Sequence, residues 1–116
     1  MKYIVAIIQP DRLDEVLDEL DKAEVHLVTV TQVMGRGNQR GLAQVYRGHK
    51  EVGSLLRKVK LEIAVNEEFV DKAVEAIKSG AKVDEGSIGD GKIFVLDLQE
   101  CHRIRTGETG TAAIGA

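Results

Sequence analysis

Residues 58–65, Lys58-Val59-Lys60-Leu61-Glu62-Ile63-Ala64-Val65, alternate strictly: Val59, Leu61, Ile63 and Val65 point one way, Lys58, Lys60 and Glu62 the other. A period of two predicts a strand with one face in a core and the other on water or a ligand. Behind it, Asn66 is placed to cap a helix with Glu67 and Glu68 in its first turn, and Phe69, Val70, Ala73, Val74 and Ile77 form its apolar stripe. The same unit stands at the start of the chain. An offset of 57 residues sets Ile4 on Leu61, Ala6 on Ile63, Ile8 on Val65, Leu13 on Val70, Leu17 on Val74 and Leu20 on Ile77. A strand and its helix are repeated.

Working outward, residues 2–9 form the first strand, read as covered on both sides or central in its sheet. Pro10-Asp11 opens the first helix, with Asp11 as cap and an end near Glu24. The β-branched run Val25–Val33 predicts the second strand, Gly80 ends the second helix, and Lys92–Leu98 is the fourth strand. Residues 37–55 carry no sustained period and read as a long loop, a length that is usually functional or disordered. The order βαβ, long loop, βαβ predicts an α+β, ferredoxin-like βαββαβ sandwich: one domain over 1–116, four antiparallel strands and two helices on one face. The second face then needs a cover, which makes a closed symmetric oligomer a reasonable inference.

Composition narrows the function. A chain of 116 residues has room for one ordinary domain, and 43% hydrophobic with 30% charged residues is a folding composition rather than a disordered one. Aromatics at 3% and a net charge of -3 argue against a nucleic-acid surface, which needs stacking platforms and a basic field. Cys101 is the only cysteine, so neither an intrachain disulfide nor a Cys-x-x-Cys pair can form. A reducing, cytoplasmic setting is the expectation. The apolar run Tyr3–Ile8 falls far short of a membrane span, so no membrane insertion is expected.

Two glycine-rich turns carry the chemistry. Gly35-Arg36-Gly37-Asn38-Gln39-Arg40-Gly41 has the wrong glycine spacing for a dinucleotide fingerprint and no helix after it. It still offers backbone N–H groups beside Arg36, Gln39 and Arg40, a combination suited to phosphate or carboxylate. Gly89-Asp90-Gly91-Lys92 is a second such turn, and Arg103 and Arg105 in a strand-like tail add cations on one side if extended. Alone, each fits a solvated surface loop. Together they suit a polyphosphate in a cleft between subunits. His26, His49 and His102 are scattered without ligand spacing, and no nucleophile elbow or P-loop is present, so enzymatic chemistry finds little support.

In order and over nearly the whole chain, a set of segments resembles the PII nitrogen-regulatory signal proteins: Thr29-Val30-Thr31, the Gly35–Gly41 turn, Val45-Tyr46-Arg47-Gly48, Leu56–Ile63, Ile88–Val95 and Arg103–Glu108. The resemblance implies a non-enzymatic homotrimer that binds ATP or ADP in inter-subunit clefts and, with Mg-ATP, 2-oxoglutarate. It implies a T-loop at about 37–55 that docks on an ammonium transporter or a nitrogen-metabolism enzyme, a B-loop at about 81–91 and a tail at about 100–116. By position, Gly35, Gly37, Asn38 and Gln39 would meet phosphate with Gly89, Asp90, Gly91 and Lys92, while Arg103 and Arg105 reach across from a neighbour. Ile7, Val28, Thr29, Glu62 and Ala64 would line the adenine and ribose pocket. Gln39 would ligate Mg, and Gln39, Arg40, Gly41, Lys58, Ile88 and Gly89 would hold 2-oxoglutarate.

The chain departs from that pattern in places. Glu51 stands where some members carry the uridylylated tyrosine and His49 where others carry a phosphorylated serine, which argues against covalent control by either route. Leu27 replaces a usual glycine at the pocket wall, Gln9 a usual lysine, and the segment before Ile88 is about two residues longer than usual. Two other functions remain open from sequence: a PII-like paralogue that senses adenine nucleotide without 2-oxoglutarate, and a small nucleotide-hydrolysing enzyme using the same cleft.

Overall fold

Residues 1–37, 45–46, 49–50 and 55–115 are described by a computed structural model of the chain. The elements are β1 (Lys2–Ile8), a 3-10 turn (Pro10–Arg12), α1 (Leu13–Lys22), β2 (Thr29–Gly35), β3 (Val45–Tyr46), β4 (His49–Lys50), β5 (Leu56–Val65), α2 (Glu67–Ala81), β6 (Gly91–Asp97) and α3 (Thr111–Ile114). β2, β5, β1 and β6 lie in that order in one sheet, every neighbouring pair antiparallel. This order fits the ferredoxin-like arrangement, with β1 and β5 in the middle.

The register explains why the two halves fit. Ile4 faces Ile63, Ala6 faces Leu61 and Ile8 faces Val59, and directly opposed residues project to the same side of a sheet. None of these six is more than 4% exposed. Val16 and Leu20 of α1 and Ala73 and Ile77 of α2 close over them as one core. Each fully buried aliphatic side chain contributes about 1.5–3 kcal/mol relative to exposure.

Several boundaries differ from the sequence expectation, for local reasons. Asp11 lies inside the 3-10 turn that Pro10 starts rather than capping α1, which begins at Leu13. The helix stops at Lys22 because Glu24 takes a left-handed φ of 63° and the Val25 N–H turns back to the Leu20 carbonyl. Val25 is consequently buried under the helix, and the second strand starts at Thr29, where its first partner on β5 is Glu62. β5 begins two residues before the predicted Lys58, at Leu56. Within the expected long loop, β3 and β4 form a short antiparallel pair, Val45 opposite Lys50 and Tyr46 opposite His49. Asn66 does hold the N-cap position, but its side-chain amide donates to the Thr111 carbonyl oxygen at 3.4 Å, tying α2 to α3, a helix the sequence reading did not foresee.

Gly80 has a different task from ending α2, which runs on to Ala81. A Cβ at Gly80 would sit 2.7 Å from Val16 Cα and 2.9 Å from the Glu15 carbonyl oxygen, so the missing side chain lets α1 and α2 touch backbone to backbone. The Nε of Arg12 donates to the Gly80 carbonyl oxygen at 3.0 Å across the same crossing. Replacing Gly80 by Ala should therefore force the helices apart and cost about 1–3 kcal/mol in denaturant unfolding. Gly37→Ala, where no described residue lies within 4 Å of the new methyl, should change stability by less than about 0.5 kcal/mol.

Candidate functional site

The side of the sheet away from the helices collects the strand residues picked out from sequence. Ile7 is paired with Lys60 on one side and Lys92 on the other, Val5 with Glu62 and Phe94, and Tyr3 with Ala64 and Leu96. Thr29 opposes Glu62, and Val33 opposes Lys58. Hence Ile7, Thr29, Lys58, Glu62, Ala64 and Lys92 all project to the helix-free face. Phe94 and Leu96 on that face are about half exposed, at 49% and 50%.

At one end of this face the chain forms a cleft of about 490 Å³. Its walls come from four separate segments: Val33–Gly37 at the end of β2, Ile7 on β1, Lys58 on β5, and Ser87 with Gly89–Lys92 before and into β6. Arg36, Lys58 and Lys92 supply positive charge there. The acid in the wall, Asp90, faces its own loop: its carboxylate accepts the N–H of Ser87 at 2.7 Å and of Val83 at 3.3 Å. Its negative charge is thus held by the turn rather than aimed at the cations. Lys58 lies 3.5 Å from the Gly89 carbonyl oxygen, a long hydrogen bond joining the two walls, and burial lowers its pKa below the ordinary 10.5. An anion between the walls would be a stronger partner for that ammonium.

Gly91 makes the closest approach in the wall. Its φ is 118°, and a Cβ there would lie 1.9 Å from the Ile7 carbonyl oxygen. Only glycine fits this combination. Gly89, with φ 97°, and Gly86, with φ 119°, take left-handed positions in the same loop, as does Asp84, with φ 51°.

The structure brings Ile7, Gly35, Gly37, Lys58, Gly89, Asp90, Gly91 and Lys92 to this cleft. Asn38, Gln39, Arg40 and Gly41 lie outside the described residues, and with them the proposed magnesium ligand. Thr29, Glu62 and Ala64 share the face but sit further along it; the Tyr3 hydroxyl donates to the Glu62 carboxylate, which also lies 3.7 Å from the Lys60 ammonium. That carboxylate raises the Tyr3 pKa above its ordinary value of 10.0. Val28 precedes β2 and packs against the core. Ile88, 67% exposed, lines a different cavity on the helix side.

The tail departs most from expectation. Residues 104–106 are a turn, closed by the Gly107 N–H on the Arg103 carbonyl oxygen at 2.8 Å, so Arg103 and Arg105 do not lie on one extended strand. Arg103 Nη2 donates to the Ala113 carbonyl oxygen at 3.3 Å, and Nη1 lies 3.4 Å from Glu108 Oε1. A Cβ on Gly115 would touch both Arg103 Nη2, at 2.7 Å, and Leu27 Cδ1, at 3.9 Å, which places Arg103 near the start of β2. The cleft is at the other end of that strand, about 20 Å away at strand rise. Within its own chain, Arg103 does not reach the cleft. Leu27 likewise stands beside the tail, 60% exposed, rather than in the cleft.

Sequence reasoning missed Val33, Met34, Ser87 and Phe94 in the cleft wall. A signal existed for two of them: once β2 is carried to Gly35, Val33 and Met34 lead directly into the glycine turn. Among the described residues no group of three or more His, Cys, Asp or Glu side chains could hold a metal ion, and no helix is long and apolar enough to cross a membrane.

A family model described as nitrogen regulatory protein P-II matches residues 1–108. The nitrogen regulatory protein GlnK1 of Methanosarcina mazei is 53% identical over 114 residues, 98% of this chain and 97% of that protein. Nitrogen regulatory protein P-II 2 of Methanothermobacter thermautotrophicus is 51% identical over 98% of this chain and 97% of that protein. For the nitrogen regulatory protein P-II of Rhizobium etli the identity is 50%, over 98% of this chain and all of that protein.

Lys58 gives the cleft a pH signature. Burial disfavours its ammonium in the folded state, so the penalty is full below the lowered pKa and fades as pH rises toward 10.5. Lys58→Met should be at least as stable as the native chain in urea unfolding at pH 7, with an advantage that shrinks by pH 10.

Proposed function

Since the chain belongs to the P-II nitrogen regulatory protein family, we propose that it is a ligand-sensing signalling subunit. It binds ATP or ADP in clefts between subunits of a homotrimer, and 2-oxoglutarate together with Mg-ATP. It controls a target, an ammonium transporter or a nitrogen-assimilation enzyme, through the loop at 37–55. Its relatives bear regulatory names, which favours action by binding over catalysis.

The observation that carries this reading is the convergence of Arg36, Lys58 and Lys92 with left-handed glycines in one cleft, while the local carboxylate of Asp90 is turned into its own loop. Such a wall suits a polyanion, because cations and close backbone approach both favour phosphoryl oxygens. Phosphates placed there would leave the base and ribose to run along the helix-free face toward Thr29, Glu62 and Ala64. A neighbouring copy covering that face would bury Phe94 and Leu96 and would carry its own Arg103 and Arg105 to the cleft, since Arg103 of the same chain is a strand's length away. Magnesium would be held by phosphate oxygens and Gln39. The donor character of the cleft fits phosphate, and the carboxylate in its wall, Asp90, is held by its own loop N–H groups.

Two anions side by side then share the same cations, and each ligand changes the affinity of the other and of the target by a reciprocal free energy. The chain's residues do this by position alone: Lys58 bridges the sheet to the Gly89 loop, so an anion that draws its ammonium alters the contact holding that wall.

Calorimetric titration of the full chain with ATP should give a Kd tighter than about 1 mM, at a molecular mass of three chains. Lys92→Ala and Arg103→Ala should each weaken it about tenfold or more, the loss of a charge-assisted hydrogen bond. Absence of ATP binding would remove the proposal. ATP binding that is indifferent to 2-oxoglutarate would instead identify an adenine-nucleotide sensor of another pathway.

A further inference from the structure

On the helix side of the same loop lies a larger cavity, of about 700 Å³. It exists because the two helices do not reach over the outer edge of the sheet: Val95 on β6 remains 47% exposed on the side that faces them. The floor is apolar, made by Ile8, Ile77 and Ala81 with Ile93 of β6, and the exposed Ile88 overhangs it. Lys78 and Lys82 at the end of α2 and Lys92 at the start of β6 stand around that floor. Lys78 lies 3.6 Å from Glu75, an exposed pair one turn away that contributes little. Asp90 is again the acid in the lining, and its carboxylate is engaged by the loop N–H groups of Ser87 and Val83.

We propose that this helix-side cavity is a second ligand site, for an amphipathic carboxylate whose acyl chain lies on Ile77, Ala81 and Ile93 and whose head group is held by Lys78 and Lys82. The apolar floor requires an apolar body, and the two ammonium groups of Lys78 and Lys82 require a negative head. A phosphoryl head is disfavoured, because three loop N–H groups on this side are already bonded within the loop: Gly86 to the Val83 carbonyl at 2.8 Å, Ser87 to Asp90 at 2.7 Å, and Asp90 to the Ser87 carbonyl at 3.2 Å. Those three donors are withdrawn from any backbone nest for phosphate oxygens, and flexible lysine stems suit a carboxylate.

Ser87, Asp90, Gly91 and Lys92 line both cavities, so the loop is a shared wall. A head group that draws this loop toward the helix side moves the Gly91–Lys92 wall away from an anion in the cleft. Occupancy of the helix-side cavity therefore weakens an anion in the cleft, and by reciprocity the cleft ligand weakens the carboxylate. This second statement rests on the nucleotide reading above; binding of the carboxylate itself does not.

The test is a ¹H–¹⁵N NMR titration of the full chain with sodium octanoate, with 1-octanol as the uncharged control, followed by ATP calorimetry with and without saturating octanoate. Saturable shifts at Ile77, Ile88 and Ile93 are expected, weakened about tenfold for octanol and in the Lys78→Glu, Lys82→Glu double variant. Those two lysines are exposed and lie outside the nucleotide cleft, and an unchanged spectrum without ligand shows that the variant folds. Octanoate should lower ATP affinity about fivefold. No saturable shift, or equal binding of octanol and octanoate, overturns the site whatever ATP does. Saturable octanoate binding with unchanged ATP affinity overturns the coupling through the shared loop. Octanoate binding in a chain that binds no nucleotide upholds the site and removes the nucleotide reading instead.

Discussion

The register between β1 and β5 is the constraint on which everything else depends. Ile4 against Ile63 and Ala6 against Leu61 commit one set of alternating side chains to the helices, and the complementary set, Tyr3, Val5 and Ile7 against Ala64, Glu62 and Lys60, to the open face. A slip of one residue would exchange the sets, burying Lys60 and Glu62 under α1 and α2 and exposing Ile63. Burial of a charge without a partner costs far more than a hydrophobic contact returns, so the core side fixes the pairing. The open face, with its cations and its place for a ligand, is the remainder of that choice.

The second determinant is the loop between α2 and β6. Asp90 closes it by accepting two backbone N–H groups, and Gly91 presses it against the Ile7 carbonyl more closely than any side chain would permit. Lys92 is therefore delivered to the loop wall that two cavities share. The acid in this loop works as a structural brace, and the positive character of the cleft follows from that use. An asparagine at 90 would keep a carbonyl acceptor for the same N–H groups while removing the charge that the loop holds.

Much of the fold was legible because two strand-helix units carry clean periods: two in Lys58–Val65, and the helical stripe from Phe69 to Ile77. Where the pattern failed, a tertiary effect overruled a local one. Val25 belongs by propensity to a strand, yet the left-handed Glu24 folds it under α1. Gly80 resembles a helix stop, yet its purpose is the contact with Val16, which no single-chain pattern reports. In the site, the glycines and Lys92 were readable from spacing, because backbone approach and charge are local properties, whereas alternation placed Lys58 only on the polar face of its strand and the family resemblance singled it out. The destination of Ile88 was not, since the side of a loop to which a residue turns depends on how that loop is braced. Nor was the turn at 104–106, which Gly107 closes with φ 75° and which folds Arg103 onto its own C-terminal helix.

The central claim is that the cleft of one chain is completed by the tail of another. Co-refolding equal amounts of a Lys92→Ala chain and an Arg103→Ala chain tests it directly, with tight ATP binding as the readout. Each variant alone should bind weakly, while the mixture should regain native affinity in about a quarter of its clefts, those pairing an intact Lys92 with a neighbour's intact Arg103. No recovery on mixing would contradict the account, because it would place both residues in the service of a single chain.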